Sequence, residues 1–215
     1  MSKISLKHSG GNVVSLNSPT NAPSAADVAF KLPNADGTSG QAMVTDASGN
    51  LSFAGTGKIL QVVSTTKTDT ASQASVAAGA KWSITAFKAT ITPSSASSKL
   101  LIFGIASFDT GNYSQALYLQ KDGSDLAAAM GDAAGSRKST VSQILDADGG
   151  AYQQVQHSFQ FLDTAGDTSE RYYNLALGHG RNAAVNIFMN RSSTDSDNAQ
   201  QFRTQSTITV MEVAA

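Results

Sequence analysis

The chain has 215 residues, of which only 14% are charged, while serine and threonine together make up roughly a fifth. Fifteen Lys and Arg residues against 16 Asp and Glu give a formal net charge of -1, so there is no electrostatic footprint for nucleic acid or a membrane surface. Cysteine is absent, which excludes disulfides and thiolate chemistry, and the hydroxyl-rich, charge-poor composition favours β structure.

Residues 1–57 are predicted to form an extended arm, because they are rich in turn residues and contain three of the four prolines. ISLKHSGGNVVSL predicts a hairpin that turns at Gly10-Gly11-Asn12. Residues 25–30 are compatible with a short helical turn, although DVAFKLP also fits a strand. Short hairpins are marginal alone, so the arm is expected to need a neighbour that covers it.

The stretch LPNADGTSGQAMVTDASGNLSFAG, residues 32–55, alternates turn residues with thin apolar pairs. Asp36-Gly37 and Ser48-Gly49-Asn50 are predicted to reverse the chain with residues that tolerate positive φ. Met43-Val44 and Leu51 to Phe53 are predicted as short strands. Gly55-Thr56-Gly57 then reads as a linker to a denser region.

Residues 58–215 are predicted to be an independent, almost helix-free β domain, because short strand candidates recur between polar turns, as in a sandwich or barrel. KLLIFGIASF is apolar on both faces, which fits a central strand covered by a second sheet or another subunit. DLAAAMGDAA is the one segment in which a helix competes. The candidate strands are residues 58–65, 72–78, 81–92, 99–108, 114–122, 125–130, 139–145, 152–163, 171–179, 184–191 and 206–213.

No catalytic arrangement is evident in the sequence. The three histidines are far apart and none lies in a known catalytic or metal-binding motif. His157 alternates with Phe159 and is predicted to lie in the core or an interface, and His179, in GHGR, is predicted in a turn. We expect no catalytic residue, no metal site and no cofactor.

Two acidic clusters were weighed as cation sites. DADGG at Asp146 to Gly150 and TDSDN at Thr194 to Asn198 space carboxylates two apart, as calcium loops do. The EF-hand pattern fails, since His157 stands where the bidentate Glu belongs. Asx turns therefore remain the default interpretation of both clusters.

Receptor contact is predicted in the loops at the ends of the domain. Tyr113 and Tyr152 lie beside glycine-rich loops and are the tyrosines expected to be exposed, where amphipathic rings serve recognition. Asn112, Asp195 and Asp197 complete the predicted receptor-binding set. The remaining tyrosines are expected to pack between sheets.

The opening stretch gives a resemblance to a known family. LPNADGTSGQAMVTDASGNLSFAG resembles the LP-x-x-DG-x-x-GQ-x-x-x-TDG-x-GNLSW linker of fibre and appendage proteins of tailed bacteriophages, especially marine podoviruses such as cyanophages. Ala47 and Phe53 stand where Gly and Trp are frequent in that linker. KILQVV, ITPSSASSKLLI, MNRSSTDSDN and STITVMEVAA also resemble a phage β-sandwich domain.

The resemblance implies a homotrimeric tail fibre or knob, made in the host cytoplasm and placed on the virion. Its residues 1–57 would dock to other virion proteins, and a jelly-roll-like antiparallel β-sandwich, residues 58–215, would contact a host surface glycan or protein. The alternative is a capsid decoration or head fibre protein. A glycan-degrading tailspike is disfavoured because neither a carboxylate pair nor a β-helix repeat is evident. We expect no nucleic acid partner, no membrane insertion and no enzyme activity.

Overall fold

Strands account for almost all regular structure in the described residues, as the composition predicts. The computed structural model describes residues 3–7, 9–11, 13–17, 30–55, 57–111, 113–144 and 153–215. The chain divides into two compact units, Met1–Gly57 and Lys58–Ala215. This division coincides with the linker placed from sequence, while the independent folding of each unit stays a prediction.

Two antiparallel hairpins form the described part of the first unit. β1 (Lys3–Lys7) pairs with β2 (Val13–Asn17), and β3 (Gln41–Thr45) pairs with β4 (Leu51–Gly55). Both predicted hairpins are therefore confirmed. The choice between helix and strand at residues 25–29 lies outside the described residues.

The turn between β3 and β4 is organised by Asp46. Its carboxylate accepts hydrogen bonds from the backbone N–H of Ser48 at 2.8 Å and of Asn50 at 3.1 Å, and from the Asn50 side chain at 2.5 Å. These hydrogen bonds, that of the Asn50 side chain above all, lower the pKa of Asp46. Ala47 and Gly49 have positive φ, 64° and 85°, so the predicted reversal at residues 48–50 is confirmed.

Gly37 is required for space and not for a positive φ, which corrects the sequence prediction. Gly40 is the residue of the segment before β3 that has a positive φ, 85°. A Cβ on Gly37 would lie 2.6 Å from the Phe53 ring. The first half of the stretch therefore packs its backbone against the aromatic residue of the second half.

The second unit contains the remaining strands of the described chain. They are β5 (Ile59–Lys67), β6 (Ala71–Val76), β7 (Lys81–Ile91), β8 (Lys99–Asp109), β9 (Gln115–Lys121), β10 (Ser124–Asp125), β11 (Ser142–Ile144), β12 (Val155–Thr164), β13 (Arg171–His179), β14 (Val185–Met189) and β15 (Ser206–Val213).

Most predicted strands are present within one to three residues of their predicted bounds. The segment 125–130 differs, since only Ser124–Asp125 pairs as a strand and Ala127–Ala129 forms a 3-10 turn. The strand predicted at 139–145 is confined to Ser142–Ile144. The strand predicted for DLAAAM is therefore wrong beyond Asp125, and the competing helix is present only as this single 3-10 turn. Leu126 and Ala129 pack against the core from this segment.

The strands of the second unit form two antiparallel sheets. One has the order β5-β15-β8-β12. In the same sheet, β14 pairs with the end of β8 at Phe108 and Asp109, and β6 pairs with β14 as an edge strand. The other has the order β7-β13-β9, with β10 and β11 both on the outer edge of β9. The strand pairs enclose one another in sequence. The pair β5–β15 encloses β7–β13, which encloses β8–β12, which in turn encloses β9–β11. This is the strand order of a jelly roll, so the predicted sandwich is confirmed.

The core lies between the two sheets and is built from alternate residues of each strand, as period-2 patterning requires. On β12, Phe159 is buried and Phe161 packs against the core, while Ser158 and Gln160 are exposed, as predicted. The largest fully buried core side chains are Tyr173, Phe87, Phe108, Ile91, Leu100, Ile102, Leu117, Leu119, Leu175, Leu177, Ile187 and Met189.

Strand β8 is apolar on its outward face as well. Cross-strand register places Leu101 beside Leu162 of β12 and beside Met211 of β15, which in turn lies beside Val62 of β5. Val62 and Leu162 are 54% and 55% exposed. An apolar row therefore crosses four strands on the outer face of this sheet.

Candidate functional site

The loops at one end of the sandwich are joined through Asp109, the last residue of β8. This carboxylate is fully buried and accepts hydrogen bonds from the backbone N–H of Gly111, at 2.6 Å, and of Ser193. The structure thus brings the 109–113 and 192–198 loops together, two of the three loops that the sequence analysis grouped. The third, residues 146–152, lies entirely outside the described residues.

Tyr113 is half-buried and does not project freely. The Arg181 guanidinium carbon lies 4.4 Å from the centre of its ring, in a cation–π contact, and Thr110 Oγ1 donates a hydrogen bond to its carbonyl at 2.8 Å. The expectation that this ring is exposed is therefore only partly met. Two other members of the predicted receptor-binding set, Asn112 and Tyr152, lie outside the described residues.

Asp195 is held by arginines within its own loop region. Arg203 approaches both carboxylate oxygens, at 3.2 Å and 2.9 Å, and Arg191 lies 4.0 Å away. The Arg203 hydrogen bond is the main cause of the lowered pKa of Asp195. This carboxylate therefore organises the loop. Asp197, two residues on, is exposed.

The two described histidines are structural in their contacts. His157 is 1% exposed, stacks on Phe108 at 4.5 Å between ring centres, and lies 2.7 Å from Ser142 Oγ. Burial lowers the pKa of His157 to about 4. The core placement predicted for it is confirmed.

His179 is not a turn residue, which corrects the sequence prediction. It is the last residue of β13 and is buried. Its Nε2 lies 2.9 Å from the Val76 carbonyl oxygen, and its Nδ1 accepts a hydrogen bond from the Arg181 backbone N–H at 3.2 Å. Both ring nitrogens of His179 are therefore engaged by backbone groups.

The acidic side chains do not converge on a common point in the described part of the chain. No group of three or more His, Asp or Glu residues there could hold a metal ion. Glu212 is, like Asp109, a fully buried carboxylate, and it accepts hydrogen bonds from Gln61 Nε2 at 2.5 Å and from Ser94 N–H and Oγ at 2.8 Å and 2.7 Å. Burial raises its pKa, but these hydrogen bonds outweigh burial and hold the pKa at about 2. Among the described residues, no helix is long and apolar enough to cross a membrane.

A groove of about 480 Å³ lies next to the loop end, on the outer side of the β7-β13-β9 sheet. Its floor includes Tyr118 of β9, and its walls come from the segment around Arg137-Lys138 and from the residues after β13, including Arg181. We call this the basic groove. Sequence reasoning missed it, although Arg137-Lys138 is the only pair of adjacent Lys or Arg residues in the chain.

Comparisons with known proteins give only distant similarities. No protein-family profile matches the chain, and no curated protein matches it. Among solved structures, it is similar to the VP2 subviral particle of infectious bursal disease virus, with 15% identity, a TM-score of 0.37, and coverage of 80% of this chain and 42% of that one.

Two further structures of the same virus give similar values. The Gx strain shows 14% identity and a TM-score of 0.35 over 81% of this chain and 42% of that chain, and the Gt strain 13% and 0.34 over 98% and 46%. The chain thus spans less than half the length of these viral chains. At such identities and TM-scores, the similarities establish no shared function.

Proposed function

We propose that the chain is a structural protein of a virion, a tail fibre or knob that attaches through residues 1–57 and contacts the host surface through residues 58–215. The support comes from the phage-like linker sequence and from two surfaces of the structure. One surface belongs to the arm and the other to the head.

The observation on which the proposal mainly depends is the exposed apolar surface of the arm. Ile4, Leu6 and Leu16 share one face of the β1–β2 hairpin and are 68–74% exposed. Phe30 and Leu32 are 64% and 77% exposed. Isolated two-stranded hairpins are marginally stable, so these side chains suit an element that is completed by other chains.

A homotrimer is part of the proposal. The outward apolar row of the head, from Val62 to Leu162, gives a second uncharged surface that another copy could cover. The pairing of β8 with β15 extends over seven residues. At ~4.8 Å between strands and ~3.4 Å per residue, four strands of that length cover roughly 450 Å². This is about half of what one partner contributes to a standard interface, so arm and head together would be needed.

Contact with the host is proposed to occur without hydrolysis. Of the described carboxylates in these loops, Asp109 is committed to backbone N–H groups and Asp195 to arginines, which leaves Asp197 as a single exposed carboxylate and not a pair. Glycoside hydrolysis by the usual routes needs two carboxyl groups flanking the bond, one of them free to protonate it. The loop end therefore suits binding better than cleavage.

The second candidate function is a capsid decoration or head fibre protein, in which the arm would grip the capsid. The same exposed hairpins favour it, because they require a protein partner but do not specify which one. Location on the virion separates the two functions.

Competition for adsorption tests the proposed function. Purified protein added to host cells should reduce adsorption of the virus that encodes it, because head and virion would compete for the same surface. Tyr113→Ala should weaken that competition. The matched variant Tyr172→Ala, which removes a half-buried tyrosine ring with the same kind of cation–π contact at the opposite end of β13, should not. Full adsorption in the presence of excess protein would argue against host contact and favour the capsid role.

A further inference from the structure

We propose that the basic groove binds an acidic oligosaccharide, one whose sugar rings bear carboxylate or sulfate groups. The inference rests on the proposed function only for the origin of the saccharide, a host surface. The binding chemistry itself follows from the groove.

Charge is the first argument. Arg137, Lys138 and Arg181 line the groove, against a single carboxylate, Asp132. None of the ion pairs found among the described residues involves any of these three cations. A molecule with a net charge of -1 thus concentrates in one concave site three cations that have no carboxylate partner among the described residues.

The three cations are positioned by uncharged groups. Arg137 Nε donates to the Ala134 carbonyl at 3.1 Å, and Lys138 Nζ donates to the Gly79 carbonyl. Arg181 lies over the Tyr113 ring. These contacts orient the side chains and leave their charge unneutralised, which is the condition for charge-assisted hydrogen bonds to an anion.

The remaining lining indicates a hydroxyl-rich ligand. The walls carry small polar side chains with donors and acceptors, and Ala116 is the only aliphatic side chain among the described lining residues. The volume falls within the usual range of ligand sites, while an apolar ligand would find little to contact. The polar wall residues are Ser114, Ser136, Thr140, Gln143 and Asn182.

Tyr118 supplies an aromatic floor. Its ring lies against Gly178 of β13, where a Cβ would be 3.0 Å from the ring, and Lys81 Nζ lies 4.5 Å from the ring centre. Only 8% of Tyr118 is exposed, so its small accessible part, and not a whole ring face, gives a sugar an apolar contact between polar walls. A nucleic acid is a poorer fit, because one largely buried ring offers no series of stacking platforms along a strand.

Nothing in the groove suggests that the bound saccharide is cleaved. Both ring nitrogens of His179 are occupied, Nε2 by the Val76 carbonyl oxygen and Nδ1 by the Arg181 backbone N–H. Asp125, beyond Tyr118, is paired with Lys81 and accepts a hydrogen bond from Gln120 at 3.0 Å. Asp132 alone does not form the carboxylate pair of a glycosidase.

The test is calorimetric titration of the full chain with an oligogalacturonate, a sulfated heparin tetrasaccharide, neutral maltotetraose and poly-glutamate. The two acidic saccharides should bind, and the neutral saccharide and the peptide should bind at least about tenfold more weakly. Replacing two cations, Arg137→Gln with Lys138→Gln, should weaken saccharide binding about tenfold or more. The variant Lys58→Gln with Lys99→Gln removes the same charge outside the groove and should bind as the wild type does.

Three results would overturn the inference. Binding of neither acidic saccharide removes the site, equal binding of maltotetraose removes the role of charge, and equal binding of poly-glutamate removes the saccharide class. Unfolding of the groove variant is detected by circular dichroism, and Arg181→Gln then replaces it. Because the titration uses isolated protein, its failure leaves the virion location untouched, and absence from virions would leave the titration result standing.

Discussion

Ala47 occupies a position of the β3–β4 turn that requires a positive φ. Its φ of 64° lies in the left-handed region, which costs an L-residue with a Cβ about 1–2 kcal/mol. The resembling phage linkers place glycine at this position, where the strain would be absent. The positive φ explains why glycine is frequent at this position in those linkers, and this chain has alanine there instead.

Ala47→Gly should therefore stabilise the β3–β4 hairpin by about 0.5–1 kcal/mol, after allowing for the greater freedom of glycine in the unfolded chain. Amide hydrogen exchange of residues 41–55 measures it, and protection should rise severalfold. Ala42→Gly, in the extended strand β3, is the matched control and should lower protection. Reduced protection in both variants would contradict the strain at residue 47.

His157 makes stability depend on pH. Burial lowers its pKa to about 4 in the folded chain, against about 6.5 when unfolded, so the unfolded state binds more protons between these values. The free energy of unfolding should be unaffected by this group above about pH 6.5 and fall by up to about 3 kcal/mol as pH drops to 4.

Urea unfolding at a series of pH values between 4 and 7 measures this dependence. His157→Gln removes the titrating group, so its free energy of unfolding should lose most of its slope between pH 5 and 6.5. The pKa of Glu212 is depressed to about 2, so the stability that this group provides is complete above about pH 4.5 and is lost only as the pH falls below that value. An unchanged slope in the variant would mean that another group titrates there.

Strand β8 illustrates the constraints at the scale of elements. Gly104 is its inward-facing residue where β8 meets β15 and β12, and a Cβ there would overlap the Thr207 carbonyl oxygen and lie 2.9 Å from the Phe159 ring. Gly104→Ala should destabilise the chain by about 3 kcal/mol or more, because backbone must move to make room. Gly131→Ala, whose nearest neighbour would be 3.8 Å away, should change stability by less than about 0.5 kcal/mol. Thermal unfolding distinguishes them, and similar effects would refute the close approach.

Elements with clean alternation were predictable from sequence, and those shaped by distant contacts were not. β12 and β15 alternate apolar and polar residues, and their faces are as predicted. Gly37 has the local signature of a turn glycine, but its role is set by Phe53, sixteen positions away in sequence. His179 follows a glycine and precedes another, yet its ring is fixed by Val76 on a different strand.

The candidate site was less predictable for the same reason. The contact between Asp109 and Ser193 joins loops more than eighty residues apart, and the basic groove combines four separate segments. Periodicity reports which face of a strand is buried but not which strands are neighbours. The nested strand order that creates these neighbours came from the resemblance and not from the pattern.

Three copies of the chain are expected to associate as a trimer. Light scattering at micromolar concentration should give three times the 22.2 kDa chain mass. Val62→Ser with Leu162→Ser should weaken the trimer, because both side chains lie on the outward apolar row and are about half exposed in the single chain. Phe202→Ser, which replaces a 74% exposed apolar side chain in a loop, is the control. A stable monomer of the unaltered chain would contradict the trimer and the explanation of the exposed arm.

The most direct measurement is electron microscopy of purified virions with gold-labelled antibody against residues 58–215. Label is expected on the tail, at the outer end of an appendage, with the arm toward the particle. Label spread over the capsid surface would replace the tail assignment by the decoration role. Virions that contain none of the chain would contradict the central claim that it is a structural protein of the particle.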